Sequence, residues 1–304
     1  MKKQILLVES HRYKKWPAWL VILLTCLMVE AFLYGGSFLG GIIIGILMLP
    51  FLLMNVGSAN ETLEVVNLLH LQLGIFAFPA LVNFAWVKWY EKRPIASLGL
   101  SKKKWFLELV KGWGVGMLVF GLAFLLTYLL GGVELKKVDF SAETIFFVLS
   151  TIPFWFIQGG TEELLTRGWL LPIINKRSNL AIAIAISSSL FGLMHLSNAN
   201  VTFLSILSII LSGVFMALYM LKTDNLWGVA GLHGAWNFTQ GNIFGVAVSG
   251  STTGPSLFQF TSRANAADWI SGGAFGTEGS LLASLVLLVG IFYLVWRLKK
   301  EKSI

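Results

Sequence analysis

Three long apolar runs constrain this chain more than any other feature: "WLVILLTCLMVEAFLYGG", "FLGGIIIGILMLPFLLMNVG" and "LLASLVLLVGIFYLVW". Each approaches the roughly 20 residues that a helix needs to cross a bilayer core. A lipid-exposed span must satisfy its backbone internally, and these runs lack the alternation of a barrel strand, so they read as helices. Only 12% of the 304 residues are charged, against roughly 25% in soluble domains. The deficit lies in the long apolar tracts and is not an even dilution. The expected fold class is all-α, a polytopic transmembrane helical bundle.

Apolar segments fall near 17–34, 37–56, 64–88, 105–131, 143–175, 179–197, 201–222, 225–248 and 279–297, with no soluble domain, repeat or low-complexity tract between them. The net charge of +8 does not point to nucleic acid. The Lys and Arg residues sit in short clusters beside apolar runs, as the positive-inside rule expects of cytoplasmic loops. "VKWYEKRP" with "SKKKW" (88–105) is the strongest cluster and is placed in the cytoplasm. Alternation then puts 132–142 outside, Lys176 and Arg177 inside, 197–201 outside, Lys222 inside, 250–279 outside and "RLKKEK" inside. The tail "MKKQILLVESHRYKKW", which includes His11, is also basic. An even number of crossings must therefore precede residue 88, and 17–56 reads as one long helix kinked around Gly35 and Gly36. The expected count is about eight crossings, with both termini cytoplasmic. The single cysteine, Cys26, excludes a disulfide framework and a cysteine metal site.

A charge at the centre of a membrane helix costs roughly 2.5–3.5 kcal/mol on insertion scales and is a functional candidate by default. The predicted spans contain Glu30, His70, Glu162, Glu163, Arg167, His195 and His233, together with the polar Asn237 and Gln240. Glu163 and Arg167 are at i and i+4 and share a helix face, so they can pair. Glu162 lies about 100° round the helix and needs another partner. His233 and Asn237 are again i and i+4, suggesting a cavity wall or an interhelical hydrogen bond. Gly159 and Gly160 are expected to loosen the helix before the carboxylates. Glu30 is expected to bond across helices or lie near a kink, and His70 and Cys26 to be packing residues. The Gly/Ser/Thr-rich 250–279 stretch reads as an ordinary loop.

Depth brings some of these residues together. Glu162 precedes the turn at 177–178, and His195 follows it, by nearly equal distances, roughly 23–26 Å at 1.5 Å per residue. In an antiparallel hairpin they share a height. His233 lies roughly 13 Å past its own turn. It joins them only if the 176–178 turn projects farther into the cytosol.

A Glu, two His and an Asn converging in a membrane cavity suit peptide hydrolysis. A carboxylate and an imidazole can deprotonate water, while a second imidazole and an amide can stabilise an oxyanion. The same set could hold zinc through Glu162, His195 and His233, with an open position for water. No H-E-x-x-H helix is present, and no serine or cysteine nucleophile stands in an obvious motif.

Three motifs stand in order: "EELLTR" (162–167), "FGLMH" (191–195) and "HGAWN" (233–237). Together they resemble the CAAX protease and bacteriocin-processing family of intramembrane peptidases, also called the Abi family. The resemblance covers about 143–248, and "EKRPIASLGL" (91–100) is similar to a stretch that often precedes that core. It divides the chain into an N-terminal membrane region (1–142), a catalytic core (143–248) and a loop with a final helix (249–304). The resemblance implies that Glu162 is the general base, assisted by His195, and that His233 and Asn237 form the oxyanion hole. Glu163, Arg167 and Phe191 are then supporting residues. Thr166 departs from the family, where an aromatic often precedes the arginine.

The expected activity is an intramembrane endopeptidase acting on a membrane-associated peptide or protein. CAAX-like processing and bacteriocin maturation or self-immunity are the roles the family implies. A glutamate mechanism without a cofactor is favoured over zinc. The expected partners are the substrate and the lipid bilayer, with no nucleic acid, and the expected location is the bacterial plasma membrane. One rival is a non-catalytic immunity or peptide-binding protein. Another is a transporter using the carboxylates as a proton relay, although the paired broken helices of two repeated halves are missing.

Overall fold

The computed structural model describes residue 6, residues 11–54 and residues 69–301. Most of the basic tail, the end of the 37–56 segment, the start of the 64–88 segment and residues 302–304 lie outside the described residues, as does the His11 side chain.

The two segments at 17–34 and 37–56 form one helix, α1 (Ala18–Met54, 37 residues), continuous through Gly35 and Gly36. Gly36 is there for contact: a Cβ on it would lie 2.6 Å from the Pro79 Cα. The chain returns through α2 (Leu69–Gly74), α3 (Ala77–Ala85) and a π-helical turn at Trp86–Tyr90. Next come α4 (Trp105–Leu129), α5 (Ala142–Glu163), a π-helical stretch at Leu164–Leu170 and α6 (Leu171–Arg177). The rest is α7 (Leu180–Leu193), α8 (Phe203–Thr223), α9 (Leu226–Phe238, extended by a π turn at Thr239–Ile243) and α10 (Leu281–Lys300).

Among the described residues, six helices are long and apolar enough to cross a membrane. With the family match reported below, they make this an integral membrane protein. Two expected segments are shorter. One is α7, an apolar helix of 14 residues. The other is α9, which is buried along its whole length except at the half-buried Trp227. Enclosed by other helices, α9 can carry His, Asn and Gly without exposing them to lipid.

The connections sort onto two faces. On the first, Arg12 Nε donates to the Tyr90 carbonyl (2.9 Å), Arg177 to the Tyr13 carbonyl, Leu226 N to Gly99 O (3.0 Å), and Lys222 pairs with Glu301. This face carries most of the Lys and Arg clusters. Here Glu91 Oε1 accepts from Tyr13 (3.1 Å) and from the fully buried Trp169 (2.9 Å). Burial and the Glu91 charge push the Tyr13 phenol above its ordinary pKa. The "RPIASLGL" stretch turns at Gly99 (φ 87°) and presents its carbonyl to the start of α9.

On the opposite face, β1 (Val133–Val138) pairs antiparallel with β2 (Phe258–Ser262), adding a two-stranded sheet to the helical bundle. This sheet joins 132–142 to 250–279, segments that the charge alternation places on one side. Asn198 Nδ2 also donates to Ser249 O on this face (3.1 Å).

Glycines set the packing of α9. A Cβ on Gly112 or Gly116 of α4 would fall onto the carbonyls of Gly228 or Leu232, and one on Gly231 onto the carbonyl of Leu109. Small residues of this kind let membrane helices approach backbone to backbone.

Candidate active site

Helix α5 starts at a Ser141 cap, whose hydroxyl accepts from Thr144 N (3.3 Å), and stays α-helical through Gly159 and Gly160 to Glu163. The two glycines therefore do not loosen it. A Cβ on Gly159 would lie 2.8 Å from Gly234 N and 3.0 Å from His233 Cγ, and one on Gly234 would lie 2.9 Å from Trp155 O. Each glycine makes room for the other helix, which brings the His233 ring to the carboxylates.

The helix widens to π geometry immediately after Glu163, a rare geometry that is frequently found at functional sites. Thr166, in the departing position, donates to the Glu162 carbonyl (2.6 Å) and accepts from Arg167 Nη1 (2.6 Å). Arg167 Nη1 also donates to Glu163 Oε1 (3.0 Å), so the i, i+4 pair forms as expected. Both side chains are fully buried. The guanidinium lies 4.4 Å from the Phe191 ring centroid, a cation–π contact. Phe191 packs edge-on against His195 and His233 as well, with ring centroids 5.0 and 5.7 Å away. One aromatic ring thus backs both imidazoles and the cation.

Glu163 has a second partner that sequence spacing did not suggest. His233 Nδ1 donates to its Oε1 at 3.0 Å. The other imidazole nitrogen, Nε2, faces Glu162 Oε2 at 3.6 Å. Glu162 Oε1 accepts from Gln158 Nε2 (2.7 Å), and Gln158 Oε1 accepts from Asn237 Nδ2 (2.8 Å). Glu162 Oε2 is buried and has no hydrogen-bond partner among the described residues. His195 lies in the turn beyond α7, where its Nδ1–H donates to the Phe191 carbonyl (2.8 Å). A carbonyl can only accept, so neutral His195 keeps its lone pair on Nε2.

Glu162, His195, His233 and Asn237 line one cavity of about 630 Å³. Gln158 and Glu278 line it too, and neither was among the candidates. Gln158 carried a local signal, since it stands one turn before Glu162. Glu278 is an isolated acid before the last apolar run. It accepts from Ser249 N (2.5 Å), Ser249 Oγ (2.9 Å) and Trp236 Nε1 (3.2 Å), and so ties the outer loop to α9.

Glu30, His70, Cys26 and Gln240 do not line this cavity. His70 contacts Ser150 Oγ (2.7 Å) between the rings of Phe147 and Phe154. Cys26 packs on the core. Gln240 donates to the Ala247 carbonyl. Glu30 is half-buried on α1 within electrostatic reach of His195.

Zinc would need Glu162, His195 and His233 as ligands. Among the described residues, no group of three or more His, Cys, Asp or Glu side chains is placed to hold a metal ion.

A family model described as Rce1-like, type II CAAX prenyl endopeptidase Rce1-like, matches residues 144–239. In residues 144–239 the chain is thus similar to the CAAX protease and bacteriocin-processing family. The matched segment contains all three motifs, Gln158 and the paired glycines, and the family is one of proteases. No curated protein and no solved structure matches the chain.

Proposed function

We propose that the protein is an intramembrane endopeptidase that hydrolyses a peptide bond in a membrane-associated peptide or protein, in a plasma membrane with its Lys/Arg-rich face in the cytoplasm. The observation that carries this reading is the shared cavity, in which Glu162 Oε2 is buried, has no hydrogen-bond partner among the described residues and lies 3.6 Å from His233 Nε2. Glu162 takes the proton of the attacking water, with His195 Nε2 as a second base, and returns it to the leaving amine as the C–N bond breaks. The tetrahedral oxyanion is met by His233 and by the second Nδ2–H of Asn237. To donate from Nε2 while Nδ1–H is held by Glu163, His233 must be an imidazolium. The Glu163 carboxylate stabilises that cation and fixes the ring, as the buried aspartate does in a serine-protease triad. Gln158 holds Glu162 and Asn237 in one hydrogen-bonded chain.

The reaction uses no metal in this proposal. Processing of CAAX-like or bacteriocin-type peptides is the biological role the family suggests. The test is cleavage of a quenched fluorescent peptide library by the purified protein in proteoliposomes. Wild-type cleavage should persist after a chelator and fall by about 10²–10⁴-fold in Glu162→Gln. Unchanged cleavage by that variant overturns the mechanism. Peptide binding without cleavage by the wild type would support an immunity or binding protein instead.

A further inference from the structure

A second cavity, of about 310 Å³, lies on another face of α5 and shares no described wall residue with the cavity that holds Glu162. Its walls are α3 at Leu81 and Phe84, α5 at Ile157 and Gly160, and the start of α9 at Trp227 and Ala230. Among the described lining residues, only Thr161 and Trp227 have polar side-chain atoms, and both are engaged. Thr161 Oγ1 donates to the Phe76 carbonyl (2.9 Å) and Trp227 Nε1 to the Ser101 carbonyl (3.0 Å). A wall this apolar favours hydrocarbon over water. Gly160 makes part of the room. A Cβ there would meet nothing nearer than the Ala230 Cβ at 3.5 Å, an ordinary contact, whereas one on Gly159 would strike the α9 backbone. Helix packing requires glycine at 159 and not at 160.

At Leu100 and Trp227 the cleft reaches the Lys/Arg-rich face of the bundle. Lys102, Lys103 and Lys104 follow in the chain and are exposed. None of the three is in an ion pair among the described residues, and Glu108, the next carboxylate, is paired with Lys111 (3.2 Å). Trp105 and Phe106 beside them are exposed aromatics, of the kind that sit at the headgroup level. The Trp105 ring packs on Trp227, with centroids 5.5 Å apart, so the lysine cluster and the mouth of the cleft lie together. Basic clusters of this kind at the cytoplasmic end of membrane helices attract anionic headgroups. We propose that one anionic phospholipid binds here, its phosphate on Lys102–Lys104 and one acyl chain in the cleft between α3, α5 and α9. The chain lies against Gly160 and Ala230, next to the α5–α9 contact that brings His233 to the carboxylates, and braces that contact. Nothing in this proposal depends on peptide cleavage.

The test uses the full chain, delipidated in detergent and titrated with phosphatidylglycerol or phosphatidylcholine. Phosphatidylglycerol should raise the thermal unfolding midpoint, because a ligand of the folded state stabilises it, and phosphatidylcholine should raise it far less. A phosphatidylglycerol with a diazirine on its acyl chain should crosslink to the peptides that contain Leu81 or Ile157. The triple variant Lys102→Gln, Lys103→Gln, Lys104→Gln should need about tenfold more phosphatidylglycerol for the same shift. Gly160→Leu and Ala80→Phe fill the cleft from opposite walls and should each suppress the crosslink, with the midpoint in phosphatidylcholine reporting whether the variant is folded. Equal midpoint shifts by the two lipids, crosslinks only outside the cleft, or an unchanged response of the triple variant overturns the proposal. So does a crosslink that persists in both cleft-filling variants. A farnesylated peptide that displaces the photolabel at lower concentration than phosphatidylglycerol would make the cleft a seat for substrate, and overturns it too.

Discussion

Glu162 and Glu163 are sequence neighbours with different duties, and substitution should separate them. Glu163 Oε1 accepts from Arg167 and from His233, and both pairs are buried. Removing that carboxylate leaves a buried guanidinium without its counter-ion, which typically costs about 3–5 kcal/mol. Glu163→Ala should therefore lower the thermal unfolding midpoint markedly, followed by tryptophan fluorescence in detergent. Glu162→Gln keeps the Gln158 contact and the shape, so it should leave that midpoint nearly unchanged while turnover falls by about 10²–10⁴-fold. Gln158 is a positioning residue. Gln158→Leu should reduce kcat on the order of 10²-fold through misplacement of Glu162 and Asn237. KM should change far less, a split that a general loss of folded protein would not give. The Glu163–Arg167 pair was legible from the sequence because a helix makes i, i+4 neighbours wherever it forms. The Glu163–His233 and Gln158–Asn237 bonds were not, because their partners stand 70 and 79 residues apart. No local period reports such a distance.

Helix contacts depend on glycines that the sequence shows but does not explain. Gly159 and Gly35 are both helical glycines in apolar surroundings, yet their environments are opposite. A Cβ on Gly159 would meet the Gly234 backbone and the His233 ring, while one on Gly35 would meet nothing within 4 Å. Gly159→Ala should push α9 away from α5, cost about 1–3 kcal/mol as overpacking does, and suppress cleavage with it. Gly35→Ala should be neutral, or stabilise by up to about 1 kcal/mol through helix propensity. Paired unfolding and activity measurements on the two variants check this, and equal losses in both would refute the packing argument. Apolar length predicted the long helices well, since each must span the same hydrocarbon thickness. It could not show that α9 ends in a π turn. Nor could it show that β1 finds β2 more than a hundred residues later, because neither feature carries an apolar signature.

The catalytic apparatus as a whole reaches well beyond the segment that bears the family motifs. Residues 140–248 contain every motif side chain, and on that ground a minimal protease could be cut from the chain. The packing argues against it. Helix α9 lies on α4 through Gly112, Gly116 and Gly231, with carbonyls where side chains would otherwise stand. Trp169, at the end of the π stretch, gives its indole hydrogen to Glu91 in the loop before α4. Trp236, beside Asn237, gives its own to Glu278 in the loop before α10. In a membrane no hydrophobic force pushes helices together, so close packing and interhelical hydrogen bonds must hold them. A 140–248 fragment lacks α4, Glu91 and Glu278, and so loses both kinds of contact on the side of α9 that fixes His233 and Asn237. It should insert into membranes but show no cooperative thermal transition and no cleavage, whereas co-expression with 1–139 and 249–304 as separate chains should recover a fraction of both. Size-exclusion profiles and peptide turnover for the fragment alone and for the three chains together decide the matter. A lone fragment that cleaves as fast as the full chain would show that the outer helices only shelter the site and do not build it.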